Sequence, residues 1–177
     1  LIATKEYSAN AAESEAQATA DLMAACITKD RKPSVETSLH NALSAPFVIH
    51  LHPTIINGLT SSMDVEASTA RLFGDKVLYV PYSDPGYALF KKVSIAVAEY
   101  VAKNGCEPEI ILLQNHGIFV GADTTEQVEA IYERVITTIE HNITTPLPTE
   151  AAQVGDMAAE VVPALRMMLS QGGDLKT

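Results

Sequence analysis

Tryptophan is absent, cysteine occurs twice, and aromatic residues make up only 6% of this 177-residue chain. The two cysteines, Cys26 and Cys106, form no Cys-x-x-Cys pair. That excludes a thiolate zinc knuckle and a dithiol redox centre, and leaves two reduced, buried thiols as the expectation. Base is scarce as well: 12 Lys and Arg face 22 Asp and Glu, for a net charge of -10. Without a basic cluster, neither nucleic acid nor an anionic membrane surface is expected as a partner. No apolar run reaches the roughly 20 residues that span a bilayer. The opening Leu1-Ile2-Ala3-Thr4-Lys5-Glu6 lacks the basic start and apolar stretch of a secretion signal, so a cytoplasmic location is expected. Gly-x-Gly-x-x-Gly and Gly-Lys-Ser/Thr are both missing, which argues against a dinucleotide fold and a nucleoside-triphosphatase.

What is present suits a packed domain. Hydrophobic residues reach 47% and charged residues 19%, close to globular averages, and the length predicts one core over 1–177. Residues 8–27 are alanine-rich and read as a helix or an arm. Ser34 is a good N-cap for a helix to about Leu43, with Val35, Leu39 and Leu43 on one stripe. Residues 47–52 alternate as a strand, with Phe47, Ile49 and Leu51 toward the core and Val48, His50 and His52 on the other side. Short helices follow at 54–60 and 65–73, the second stopped by Gly74, then a strand at 76–81. A helix over 87–103 ends at Asn104-Gly105, and 109–114 is a continuous apolar run suited to a strand covered on both faces. A return strand at 118–121 and an amphipathic helix over 127–141 come next, the helix opened by Asp123-Thr124-Thr125-Glu126. A last helix runs from beyond Pro148 to about Ser170, with Pro163 expected to kink it. Strands alternating with helices predict an α/β sandwich on a mixed sheet.

Chemistry gathers around the five histidines. His50 and His52 stand at i and i+2 of one strand, so their imidazoles project the same way, roughly 6–7 Å apart, and can converge on one cation. His116 stands past the end of the long apolar strand, where Gly117 permits an unusual turn. Three neutral imidazoles around Zn²⁺ leave an open position, the catalytic type of site. The plain alternative is a strand with two hydrogen-bonded histidines and a separate turn histidine, because His-x-His recurs by chance. Glu36, in the first turn of the preceding helix, reads either as a favourable end charge or as a general base facing the cation. His40 lies one turn further on the same face and reads as support or packing. His141, at a helix end, reads as structural.

Three segments then align with a known pattern. Pro33-Ser34-Val35-Glu36-Thr37-Ser38-Leu39-His40, Phe47-Val48-Ile49-His50-Leu51-His52-Pro53 and Leu113-Gln114-Asn115-His116-Gly117 resemble the class II aldolase/adducin family over most of residues 33–141. Val80-Pro81-Tyr82 followed by Pro85-Gly86 agrees with it. The ordered set of Glu, His-x-His and Asn-His-Gly is specific, whereas each piece alone is weak.

The resemblance implies a three-layer α/β/α sandwich with a mixed, mainly antiparallel sheet. It implies Zn²⁺, or another divalent transition metal, on His50, His52 and His116, with Glu36 moving protons and Ser34 contacting substrate. The implied reaction is reversible retro-aldol cleavage of a ketose or ketose phosphate, whose enediolate the metal stabilises. A homotetramer is the implied assembly. The chain departs from the pattern where Val35 stands in place of a second serine that helps bind phosphate. Only Ile2-Ala3-Thr4-Lys5 stands near the place of the family's Gly-Asn-Ser and Thr-Pro-x-Gly segments, so those N-terminal elements are expected to be missing. Two other readings stay open: a non-catalytic adducin-like interaction domain, and an epimerase or dehydratase on the same metal scaffold.

Overall fold

A computed structural model describes residues 2, 5–28, 30–144 and 155–170. The chain divides into two compact units, Leu1–Ile143 and Thr144–Thr177. The first holds a four-stranded sheet in the order β1-β4-β3-β2, made of β1 (Phe47–Leu51), β2 (Leu78–Val80), β3 (Ile110–Leu113) and β4 (Gly117–Ala122). β4 runs antiparallel to both β1 and β3, while β2 runs parallel to β3. The sheet is therefore mixed and mainly antiparallel, as expected.

Alternation along β3 and β4 feeds two cores. Ile110, Leu112, Ile118 and Val120 face one side, where Ile56 and Leu59 of α3 (Thr54–Thr60) meet Val128, Ile131 and Val135 of α6 (Thr125–Glu140). Ile111, Leu113 and Phe119 face the other, beneath Leu39 of α2 (Thr37–His40) and Leu89, Phe90 and Val93 of α5 (Tyr87–Asn104). All four β3 side chains are buried, which is what a continuous apolar run achieves only when helices cover both faces. Each such side chain contributes about 1.5–3 kcal/mol of burial. The layers are helix, sheet, helix.

Side-chain caps and one carboxylate fix the helices. Asn10 opens α1 (Ala11–Ala25) by accepting from the Glu13 amide at 3.2 Å, and Thr124 opens α6 by accepting from the Gln127 amide at 3.2 Å. Glu15 of α1 accepts from the Tyr87 and Ala88 amides, both at 2.9 Å, which docks α1 on the positive end of α5. The alanine-rich stretch is thus a seated helix. Gly105, at φ 74°, ends α5. The fourth helix of the unit, α4 (Val65–Phe73), runs into a 3-10 turn at Gly74–Lys76. That turn limits the second strand to Leu78–Val80 rather than the wider span its sequence predicts.

Three further expectations are corrected. The helix predicted from Ser34 to Leu43 shrinks to the single turn of α2, with Glu36 at its cap. The Ser34 hydroxyl accepts the Glu36 amide at 3.1 Å, and the Thr37 hydroxyl donates to the Ser34 carbonyl at 2.7 Å. Such local bonds offer the backbone an alternative to the helix. Leu39 and Leu43 are buried, but Val35 is 45% exposed. In β1, Phe47 and Leu51 are 40% and 47% exposed, because an edge strand has less cover than a central one, and Ile49 alone of the three packs into the α3/α6 core. Cys106 is exposed and Cys26 half-buried, neither in a disulfide, instead of the two buried thiols expected.

In the second unit, α7 (Asp156–Ser170) keeps Pro163 inside the helix, and Met157, Val162, Met167 and Met168 are exposed. The predicted start of this helix after Pro148 lies outside the described residues. No helix among the described residues is long and apolar enough to cross a membrane.

Candidate metal centre

Two strand ends, a turn and a helix cap meet at one end of the sheet. β1 carries His50, with His52 just beyond it. Opposite it, in register His50↔Phe119 and Leu51↔Ile118, β4 begins at Gly117 with His116 immediately before it. The turn joining β3 to β4 is tied on both sides: the Gln114 amide donates to the Val80 carbonyl and the Asn115 amide to the Thr60 carbonyl, both at 3.0 Å. Asn115 takes the left-handed region at φ 55°, which short polar side chains tolerate best after glycine. Gly117 is required by proximity. A Cβ there would stand 2.5 Å from His52 Cδ2 and 2.7 Å from the Leu51 carbonyl oxygen.

Four donor atoms converge. His50 Nε2 lies 2.8 Å from His52 Nε2 and 3.3 Å from His116 Nε2. Glu36 Oε1 lies 2.9 Å from His116 Nε2 and 3.6 Å from His50 Nε2. All four atoms sit within 4.8 Å of one another. His50 Nδ1 is 2.9 Å from the Ile118 carbonyl oxygen, and a carbonyl only accepts, so this assigns the ring proton to Nδ1 and leaves the Nε2 lone pair facing the cluster. Burial lowers the pKa of His50, and the neighbouring His52 and His116 push the same way, while the Ile118 carbonyl and Glu36 oppose them. The ring is accordingly held neutral, the form that binds metal.

This donor set fits a divalent cation. Bonds of about 2.0–2.1 Å to imidazole nitrogens at tetrahedral angles place the nitrogens about 3.3 Å apart, against the 3.3 and 2.8 Å found between His50 and its two neighbours. An imidazole that binds through Nε2 while Nδ1–H is fixed by a carbonyl is also the usual supporting arrangement. The side chains of His50, His116 and Glu36 are 6%, 16% and 25% exposed, and His52 is open to solvent, so one side of the centre is accessible.

Every residue singled out in the sequence near this centre can now be placed. His50, His52, His116 and Glu36 come together. Ser34 stands at the cap turn, its oxygen accepting the Glu36 amide. His40 stays outside the cluster: its Nδ1 is 3.2 Å from the Val48 carbonyl and its ring meets Phe119 edge-on. His141 caps the end of α6. Tyr82 is exposed, its hydroxyl donating to Asp84 at 2.9 Å. Phe119 and the steric role of Gly117 were missed in the sequence, because both follow from the β1–β4 register, which hydrophobic alternation does not set.

Sheet topology, two cores and this cluster together describe an α/β domain with a group of side chains that could hold a metal ion. The chain belongs to the family described as the class II aldolase and adducin N-terminal domain, whose model matches residues 4–142. It is 29% identical over 122 residues, 68% of its own length, to a protein of Bacillus subtilis named uncharacterized oxidoreductase YuxG, of which it spans 16%. It superimposes on the N-terminal class II aldolase domain of a conserved Thermoplasma acidophilum protein with a TM-score of 0.61 and 25% identity, covering 80% of this chain and 60% of that one. The chain thus corresponds to part of each relative's length, and the oxidoreductase name belongs to the longer protein.

Proposed function

We propose that this domain is a metal-dependent lyase that reversibly cleaves a ketose or ketose phosphate by a retro-aldol reaction, with Zn²⁺ as its cation. One observation carries the reading: three imidazole Nε2 atoms and the Glu36 carboxylate lie within 4.8 Å of one another beside an open face. His50, His52 and His116 hold the cation, which supplies positive charge where the carbonyl and adjacent hydroxyl oxygens of the sugar become negative.

The remaining work falls to the chain's own groups. As the bond between C3 and C4 breaks, its electron pair stays with C3 and the carbonyl, and C4 becomes the aldehyde as its hydroxyl gives its proton to the Glu36 carboxylate. Glu36 returns a proton to C3, or removes it in the condensation direction. Its place at the cap of α2, 2.9 Å from His116 Nε2, keeps the carboxylate against the centre. Ser34 offers its hydroxyl proton to the substrate from the same turn. A rotationally symmetric tetramer belongs to the same reading.

The test is Glu36→Gln in zinc-loaded protein assayed for aldehyde release from a panel of ketoses and ketose phosphates. Wild type should release aldehyde, and the variant should keep its zinc while turnover falls by at least about 100-fold, the usual contribution of general acid–base catalysis. Full activity in the variant removes Glu36 from its role. Zinc-free wild type that cannot be loaded removes the lyase reading.

A further inference from the structure

Stacking at the centre, among the described residues, is confined to one pair. His50 lies flat on Phe119, with ring centroids 3.9 Å apart and planes inclined by 9°. The other ring contacts there are edge-on: His50–His52 at 4.6 Å and 74°, His50–His116 at 5.1 Å and 73°, His52–His116 at 4.9 Å and 76°, and His40–His50 at 6.3 Å and 78°. His52 and His116 therefore lean on other candidate ligands, whereas His50 rests on a residue that cannot itself bind metal.

A single hydrogen bond does not fix an imidazole. The bond from Nδ1 to the Ile118 carbonyl anchors one ring atom and still lets the ring rock about the Nδ1···O line, which sweeps Nε2 through an arc. A flat surface beneath the ring removes that freedom. Phe119 provides it because the two residues face each other directly across the β1–β4 ladder. Phe119 is itself held: it is 2% exposed, packed with Leu39, Leu43, Ile111 and Leu113, and met edge-on by His40 at 5.3 Å. His40 is anchored in turn on the Val48 carbonyl of β1.

We propose that Phe119 is a positioning residue for the cation: it sets the imidazole plane of His50 so that Nε2 faces His52, His116 and Glu36 before the cation arrives. This rests on reading the cluster as a metal centre. Preorganisation of this kind lowers the ordering cost of binding, and the loss of a supporting contact behind a metal ligand typically weakens affinity by about 10–100-fold.

The experiment titrates Co²⁺ into the whole chain and follows its visible absorption and binding heat, in wild type, Phe119→Leu and Phe90→Leu. Phe90 belongs to the same core, is 4% exposed and touches none of the histidines of the centre in any ring contact. Both variants remove a buried ring and should lower the melting temperature of the metal-free protein. Only Phe119→Leu should weaken Co²⁺ binding, by about tenfold or more, and shift the absorption bands as the ligand geometry loosens. Wild-type affinity and bands in Phe119→Leu overturn the proposal, as does an equal loss in Phe90→Leu. No Co²⁺ uptake by wild type overturns the metal reading, and the proposal with it. Should Phe119→Leu fail to fold, proton NMR of wild type decides: His50 ring protons shifted upfield by the Phe119 ring, before and after Zn²⁺ is added, are expected, and unshifted resonances overturn the stack.

Discussion

β1 and β2 both border the sheet, yet β1 pairs with its neighbour over five residues and stays half open, while β2 pairs over three and ends in the buried Val80. Val80 turns its carbonyl inward to the Gln114 amide, so alternation turns the Tyr79 backbone groups out to the open edge. β1 carries two of the clustered histidines at one end: His50 and the following His52 face the centre, while Ile49 reaches back to the core. The contrast shows how a sheet combines accuracy with access. Two of the clustered histidines sit on or just beyond the edge strand, beside the open face, and His50 is aligned by the adjoining central strand, where Ile118 and Phe119 are 0% and 2% exposed.

Truncations should break this comparison first. Leu112→Ala, at a fully buried central position, should cost about 2–5 kcal/mol in urea unfolding, whereas Leu51→Ala on the edge should stay within about 0.5 kcal/mol. Equal costs would mean that β1 is covered after all. Next come the two β4 glycines that face β1. A Cβ at Gly121 would meet side-chain atoms, Leu43 Cδ1 at 3.0 Å and Ala45 Cβ at 3.2 Å, but one at Gly117 meets backbone at 2.7 Å. Gly117→Ala should therefore cost about 1–3 kcal/mol and abolish the rise in melting temperature on adding Zn²⁺. Gly121→Ala should cost less and keep that rise.

The smallest effect lies on the far side of α5, where α1 docks. Burial, with the hydrogen bond from its hydroxyl to Asp21, raises the Tyr7 pKa to about 12. The folded state keeps this proton longer than the unfolded chain, so the associated stabilisation is present below pH 10 and fades as pH rises toward 12. Asp21 has the opposite sign: its pKa is lowered by Lys5 and Tyr7, so its contribution fades as pH falls below 3.8. Ultraviolet titration should show Tyr7 moving toward 10 in Asp21→Asn without reaching it, since burial remains.

Much of this was legible in the sequence. The β3 run, α3, α4 and α5 follow from apolar period and from Gly74 and Gly105 as stops. The convergence of His50 and His52 could be read because β-strand geometry puts them on one side. Less legible was whatever depended on tertiary position. The one-turn α2 reflects Ser34 and Thr37 bonding locally against a helical pattern. Exposure of Phe47 and Leu51 depends on strand order, and the fit of Gly117 on a register that pairs residues far apart in the chain.

The ties at Gln114 and Asn115 carry a consequence for the order in which the centre assembles. His116 is set by a turn bonded to β2 and α3, and His50 by a ladder over the core, so their amides should exchange only when the whole unit opens. Glu36 caps a single helical turn, which should open more readily than the ladder. On refolding, the three imidazoles should come together with the sheet, and the carboxylate should arrive last, completing the constellation from its most labile element.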